Sequence, residues 1–341
     1  MGNWVLPEGV AGCLEVLRGA GFAAHPVGGC VRDLLLGRTP GDFDLCTSAR
    51  PEQTMALFPR TVPTGLKHGT VTVLTGDGPV EVTTFRREGG YADGRHPDGV
   101  AFDVGLREDL ARRDFTVNAM ALDPAGEVID LFGGQADLKA GVLRCVGDPD
   151  TRFAEDALRM LRALRFAAQL GFAVEENTLA AIGRNARRAA LVSGERIKIE
   201  LEKTLLSPRP EWAGEAVRLG LLAHLYPETT CPDLTRLREL PPEPVPRWRG
   251  FCRETGFPIE RLPVERVLRQ GVLHPEREAV KDLALSGGEL AALGLKGKEI
   301  GAVQRELAAH ILAHPADNIR EKLLELVEKS RGTGKNGPSL S

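Results

Sequence analysis

Between Glu8 and Phe22 the apolar residues Val10, Cys13, Leu14 and Leu17 fall three or four positions apart. That spacing predicts an amphipathic helix, ended by the Gly19/Gly21 pair. His25-Pro26-Val27 reads as a short extended approach to the doublet Gly28-Gly29, and Val31 to Leu36 as a helix leaving that turn and stopped by Gly37. Asp42 to Leu45 alternates acidic and apolar side chains, as a short strand does. Two further strand-like runs, Val71–Leu74 and Val80–Phe85, flank Gly76-Asp77-Gly78, which is turn chemistry for a hairpin. Residues 87–101 are rich in Gly, Asp, Pro and Arg and predict a mobile loop.

Beyond Asp109 the period changes. Helical spacing takes over from about Phe153 and continues, with breaks, to Leu225. Pro-Pro-Glu-Pro-Val-Pro at 241–246 predicts a stiff, non-helical linker. Ser286-x-x-Glu289 is a capping-box pattern opening a last helical region, and the tail from Ser330 predicts fraying. The outline is α+β: a mixed head of about 145 residues followed by helices.

Three clusters carry candidate chemistry. The first joins Gly28-Gly29-Cys30-Val31-Arg32-Asp33 to Gly41-Asp42-Phe43-Asp44-Leu45. Two aspartates one residue apart on a strand share a face, and two such carboxylates repel unless a cation lies between them. Mg²⁺ suits oxygen ligands of this kind and keeps positions open for water and phosphates. A Gly-Gly turn before a helix offers bare backbone N–H groups to phosphates, and Arg32 adds fixed positive charge. Either motif alone is also what an ordinary turn looks like; together, in strand–turn–helix–strand order, they point to a nucleotide–metal site. Glu81 reads equally as a third carboxylate or as an exposed strand residue.

The second cluster, Arg112-Arg113-Asp114-Phe115-Thr116-Val117-Asn118-Ala119, could open a helix that presents Arg113 to phosphates and Asn118 to a sugar hydroxyl, or could be a surface turn with an internal salt bridge. The third is Glu155 to Phe166. There Asp156, Arg159, Arg162 and Arg165 recur every three residues as one slowly drifting helical stripe, beside a core stripe of Leu158, Leu161 and Leu164. A salt-bridged amphipathic helix gives the same pattern.

Composition narrows the partners. The 341 residues carry 44 Lys+Arg against 47 Asp+Glu, a formal charge of −3, which excludes coating nucleic acid by bulk charge but not a local basic surface. Between Arg152 and Lys203 there are ten Lys/Arg against seven Asp/Glu, so the third cluster lies in a basic stretch. Aromatic residues are only 5%, a poor supply for stacking many bases. The six cysteines form no CxxC pair, which predicts reduced, mostly buried thiols. The first 22 residues lack a leader pattern and no apolar run reaches the roughly 18 residues of a membrane span, so the expectation is a cytoplasmic protein with no membrane association.

Taken in order, Gly28–Asp33, Gly41–Ala49, His68-Gly69-Thr70-Val71, Arg112–Ala119 and Glu155–Phe166 resemble the class II tRNA nucleotidyltransferase and poly(A) polymerase family, within the polymerase-beta-like nucleotidyltransferases. Glu195-Arg196-Ile197, Gly220-Leu221-Leu222 and Pro227-Glu228 are similar to the start of that family's helical body. Ser286-Gly287 and Asn318-Ile319-Arg320-Glu321 are similar to its tail. The resemblance implies a nucleotidyltransferase head (1–145), a helical neck bearing the nucleotide-reading helix (146–205), a body with the Pro-rich linker (206–285) and a tRNA-binding tail (286–341). The body is short: only 57 residues, Thr229 to Leu285, separate Pro227-Glu228 from Ser286.

The same resemblance implies that Asp42 and Asp44 are catalytic and bind two Mg²⁺ ions. It makes Gly29, Arg32 and Arg113 contacts to the nucleotide, Asp156 and Arg159 the pair that reads the base, and Arg162 and Arg165 further nucleotide contacts. An ionised Asp only accepts hydrogen bonds and an Arg only donates them. Cytosine and adenine each offer an amine beside an unprotonated ring nitrogen and fit the pair; uracil and guanine do not. The implied activity is template-independent addition of CCA to the 3′ end of tRNA from CTP and ATP, with no obligate protein partner. The intact loop Glu88–Asp98 argues against CC-only addition. Poly(A) synthesis is disfavoured because Ser48–Lys67 lacks a basic, phenylalanine-containing segment. A-only addition shares these motifs. The reading from another class is a non-catalytic RNA-binding relative, against which stand both aspartates, the Gly-Gly turn and the Asp/Arg pair.

Overall fold

A computed structural model describes residues 4–89 and 99–333. Its head is a seven-stranded mixed sheet. The strands are β1 (Ala24–Val27), β2 (Asp44–Thr47), β3 (Thr61–Gly65), β4 (Thr70–Thr75), β5 (Gly78–Thr84), β8 (Met120–Leu122) and β9 (Val128–Asp130), in the order β3-β4-β5-β2-β1-β8-β9. A short antiparallel ribbon of β6 (Arg87–Glu88) and β7 (Val100–Ala101) closes the base of the segment expected to be a mobile loop. Residues 90–98 of that loop lie outside the described residues. All neighbours in the large sheet are antiparallel except β2 and β5, which run parallel with Asp44 opposite Glu81.

The predicted first helix forms as α1 (Glu8–Gly19) and buries Val10, Cys13, Leu14 and Leu17. It packs, near α3 (Pro51–Leu57), on the sheet face that carries Leu45, Val73, Val80 and Val82. Because side chains alternate along a strand, Asp44 and Glu81 emerge on the opposite face, the one shared by Val27 and Cys46. Helix α2 (Gly29–Leu35) leaves the Gly-Gly turn as expected. Two helices close the head: α4 (Leu106–Ala111) and α5 (Gly134–Ala140).

The helical remainder begins with β10 (Val142–Leu143), α6 (Pro149–Glu155), α7 (Leu158–Leu170), β11 (Ala173–Val174), α8 (Glu176–Asn185), α9 (Gly194–Leu205) and α10 (Trp212–Arg218). Next come α11 (Pro244–Thr255), α12 (Arg266–Leu273) and α13 (Pro275–Ala279). One hydrophobic core runs from Phe115 to Val272 and includes the fully buried Trp248, Phe251 and Phe257. A second core of Leu285, Leu290, Leu307, Ile311, Leu323 and Val327 holds α14 (Gly287–Ala292), α15 (Lys298–Ala313) and α16 (Arg320–Thr333). The Ser286/Glu289 capping box forms at the start of α14.

Four local expectations are corrected. The strand expected from Asp42 starts at Asp44: β1 has turned away at Val27, the partner of Asp44, and in the parallel register Asp42 would face Pro79, which has no N–H to give. The stripe from Asp156 to Arg165 is not one helix, because α6 ends at Glu155 and Asp156 is extended, with φ −138 and ψ 107. No helix opens at Arg112; α4 ends there, and a single 3₁₀ turn follows at Thr116–Asn118. The Pro-rich 241–246 segment is only partly a linker, since α11 starts at Pro244 with Pro246 in its first turn. The first-turn N–H groups have no partner within a helix, so proline there sacrifices nothing.

All six cysteines are free, and Cys13, Cys30, Cys46 and Cys145 are buried. Among the described residues no helix is long and apolar enough to cross a membrane.

Candidate active site

The Gly28 backbone has φ +85, a conformation side-chain-bearing residues rarely adopt, and its N–H donates to the Met120 carbonyl at 3.1 Å. A Cβ there would lie 2.8 Å from Nη1 of Arg113. Glycine is required by conformation, and any side chain there would also displace the Arg113 guanidinium. Arg113 is held from the other side by Asp109, whose Oδ2 accepts from its Nη2 at 3.3 Å, while its buried Nε makes no hydrogen bond. Asp109 also accepts from Nε and Nη2 of Arg112 at 3.0 and 2.7 Å. Burial would raise the Asp109 carboxyl, but the two guanidiniums hold it below the usual range.

Asp44 starts β2 beside this turn. Burial, then the charge of Asp42 and that of Glu81, push its carboxyl up to about 6, against the pull of Arg113. The Asp42–Asp44 pair is thus strained electrostatically in the way a cation relieves. Among the described residues no three His, Cys, Asp or Glu side chains group into a metal cage. Two carboxylates with open positions remain, a donor set that fits Mg²⁺, which dehydrates reluctantly and takes few protein ligands. Glu81 adds charge opposite Asp44 in the sheet register.

From α2, Arg32 donates to Asp33 through Nε and Nη2, both at 2.9 Å, and through Nη1 to Asn118 Oδ1 at 2.7 Å. Asn118, expected to face a sugar, is buried and spends its amide on Asp114 Oδ1 at 3.2 Å. Asp114 in turn takes Nε and Nη2 of Arg162 on Oδ2, at 2.8 and 2.7 Å. Burial opposes the charge on Asp114, but Arg162 prevails and its carboxyl falls to about 2. A chain of hydrogen bonds therefore ties α2 of the head to α7.

At the α6–α7 junction, Asp156 and Arg159 are close in sequence but each has other partners. Asp156 accepts from the Leu158 N–H at 3.0 Å and from Nη2 of Arg196, on α9, at 2.9 Å. Arg159 donates to Glu155 at 2.5 Å and to the Arg112 carbonyl at 2.8 Å, which docks the junction against the Arg113 segment. Arg165 is buried against Glu200, also on α9, with Nε 2.5 Å from Oε2. The structure thus brings Asp42, Asp44 and the Gly28 turn beside Arg113 at the start of β2 and sets Gly29 beside Arg32. It gathers Arg32, Arg162 and Arg165 around the ring of Phe166 on α7, while Asp156 and Arg159 sit at the α6–α7 junction with partners of their own. The anchoring residues Asp109, Asp114, Glu155, Arg196 and Glu200 were not singled out as site residues from sequence. Asp109 and Asp114 lie in or beside Arg-rich stretches, Glu155 opens the third cluster and Arg196 falls in the quoted Glu195-Arg196-Ile197, signals that could have found them; Glu200 carries none.

Comparison with known proteins supplies the context. Residues 24–144 match the family model described as Poly A polymerase head domain, and residues 171–231 the one described as Probable RNA and SrmB- binding site of polymerase A. The chain is 40% identical to a CCA-adding enzyme of Geobacillus thermodenitrificans, over 94% of this chain and 83% of that one. It is 52% identical to the CCA-adding enzyme of Lactiplantibacillus plantarum over 74% of this chain, and that match spans only 61% of the relative's length. The crystal structure of the Bacillus stearothermophilus CCA-adding enzyme in complex with CTP superposes with a TM-score of 0.59 at 32% identity, covering 98% of this chain and 100% of that one. On this similarity across nearly its whole length, the chain belongs to the family of CCA-adding enzymes.

Proposed function

We propose that this chain adds CCA to the 3′ end of tRNA without a nucleic-acid template, using CTP and ATP. The observation that carries the reading is the meeting of three features at one end of the sheet. These are the close-approach turn at Gly28, the strained Asp42–Asp44 pair, and a reading junction docked on the Arg113 segment through Arg159. In this reading Asp42 and Asp44 hold two Mg²⁺ ions, which when bound lower the charge on the triphosphate and favour ionisation of the attacking 3′-hydroxyl. Gly29 leaves the backbone bare for phosphate, and Arg32, Arg113, Arg162 and Arg165 supply cationic donors to the nucleotide.

Base choice falls to Asp156 and Arg159. A carboxylate offers about four lone-pair sites. Asp156 spends one on Leu158 N and two on the Arg196 fork, whose longer arm is 3.4 Å, so one remains for an incoming amine. Arg159 donates to the neighbouring ring nitrogen. Because both side chains are already anchored, little rotamer freedom is lost when the nucleotide arrives. Uracil and guanine leave both partners mismatched, a penalty on the order of 10⁴-fold. We further propose the division into head, neck, body and tail at residues 145, 205 and 285, with body and tail gripping tRNA.

The test is nucleotide binding and turnover in wild type and Asp42→Ala. Wild type is expected to bind CTP and ATP more tightly with Mg²⁺ than without, and to extend tRNA lacking CCA. Asp42→Ala should keep or raise its thermal midpoint and lose extension. Wild-type-like turnover by Asp42→Ala would overturn the metal assignment, and no turnover by wild type would favour a non-catalytic RNA-binding relative.

A further inference from the structure

Phe166, in the middle of α7, collects three guanidiniums. The Cζ of Arg165 lies 3.9 Å from its ring centroid, that of Arg162 5.2 Å and that of Arg32 5.3 Å. A chain of this length carries about four or five energetically significant cation–π contacts in all, so three on one ring is a concentration rather than background. The ring is 8% exposed and Phe115 packs against it edge-on, with centroids 5.9 Å apart at 79°. Its position is therefore fixed independently of the cations. Each guanidinium also has its own carboxylate, Asp33 for Arg32, Asp114 for Arg162 and Glu200 for Arg165. Those carboxylates come from three separate segments, and the ring is the feature common to all three arginines.

We infer that Phe166 is a positioning residue: its π-face holds Arg32, from the head, in one arc with Arg162 and Arg165, from the neck, so that a nucleotide's phosphates meet a preformed set of donors. Three like charges brought this close repel, and the negative face of the ring offsets part of that repulsion without using up an N–H donor. An aliphatic side chain of similar volume would fill the space and give no such attraction. The inference rests on the assignment of these arginines to the nucleotide in the proposed function, and it says nothing of base choice, since Arg159 is not among the three.

The test replaces Phe166 in the full chain with phenylalanines carrying one, two and three ring fluorines. These keep the shape and apolarity of the ring while draining its negative face. CTP and ATP are then titrated in the presence of Mg²⁺. Dissociation constants for both nucleotides should climb stepwise and in parallel, reaching about 10-fold at three fluorines. The thermal midpoint should fall in step with the fluorine count as the attraction is lost, and the preference for C and A over U and G should not change. Phe166→Leu should weaken both nucleotides at least as much as the trifluorinated ring. A flat fluorine series would overturn the inference, including the case in which Phe166→Leu alone weakens binding, because packing would then be the whole effect. Arg32→Ala is the control for the underlying assignment. If Arg32→Ala leaves CTP binding unchanged, the assignment itself fails; if it weakens binding while the fluorine series is flat, only the role of Phe166 falls.

Discussion

Burial and the neighbouring Asp42 push the Asp44 carboxyl up to about 6, whereas in an unfolded chain it titrates near 3.9. A raised folded-state pKa means that stability is full below the unfolded value and falls as pH rises through the folded one. Asp44→Asn is accordingly expected to raise the melting temperature of the metal-free protein at about pH 8 and to leave it unchanged at about pH 4. Equal effects at both pH values would show that the pair is not strained. Asp114 is the opposite case. Arg162 holds its carboxyl at about 2, so the ion pair contributes fully above about pH 4 and is lost as pH falls towards 2. Asp114→Ala leaves Arg162 without its partner and should cost about 3 kcal/mol at neutral pH by denaturant titration, at the low end for a broken buried pair because Arg162 is one-third exposed. If Asp156 and Arg159 read the base as proposed, Arg159→Ala should raise incorporation of U and G more than it weakens tRNA binding. Unchanged C and A preference in single-nucleotide assays would remove Arg159 from that role. The clusters that hold the candidate site residues were visible in sequence because their types and spacings are local, but the roles in the second and third came from the family resemblance. Their anchors were not: Glu200 lies 35 positions from Arg165 and Arg196 lies 40 from Asp156, and no local pattern encodes a pairing at that separation.

Among elements, the Gly28 turn is the most constrained. Gly28→Ala would force a Cβ onto a positive φ and against Arg113, and we expect about 1–3 kcal/mol of destabilisation together with weaker CTP binding. Gly12→Ala in α1, where a Cβ would meet nothing within 4 Å, is the matched control and should be neutral or slightly stabilising. If both variants behaved alike, the close approach of Arg113 would have no consequence. The strands and α1 were legible because period two and period 3.6 separate cleanly over Val71–Phe85 and Glu8–Gly19. The break between α6 and α7 was not, because Glu155 to Leu158 contains neither Gly nor Pro. The helix stops where the Asp156 carboxylate turns to the Leu158 N–H and to Arg196. The start of α11 was misread for the converse reason, since Pro244 and Pro246 look like breakers but occupy a first turn.

For the whole molecule, a charge of −3 with 5% aromatic residues at first argues against a nucleic-acid enzyme. The positive charge is local instead, with arginines of α2 and α7 collected around one ring and each anchored by an acid that cancels it in the total. Such a surface should bind tRNA through few phosphate contacts, and its affinity should fall with salt in proportion to those contacts. The α+β outline and the helical remainder were legible from periodicity alone. That residues from Phe115 to Val272 share one core while the tail keeps its own was not, because cores form between segments far apart in sequence. The central claim is the addition of three defined nucleotides, and the most direct measurement is product length on three tRNAs ending before CCA, after C and after CC, each with CTP, ATP and Mg²⁺. The account predicts extension by three, two and one nucleotides respectively, stopping at CCA. Extension of the CC-ending tRNA alone, arrest at CC, or an open-ended ladder of A would contradict it.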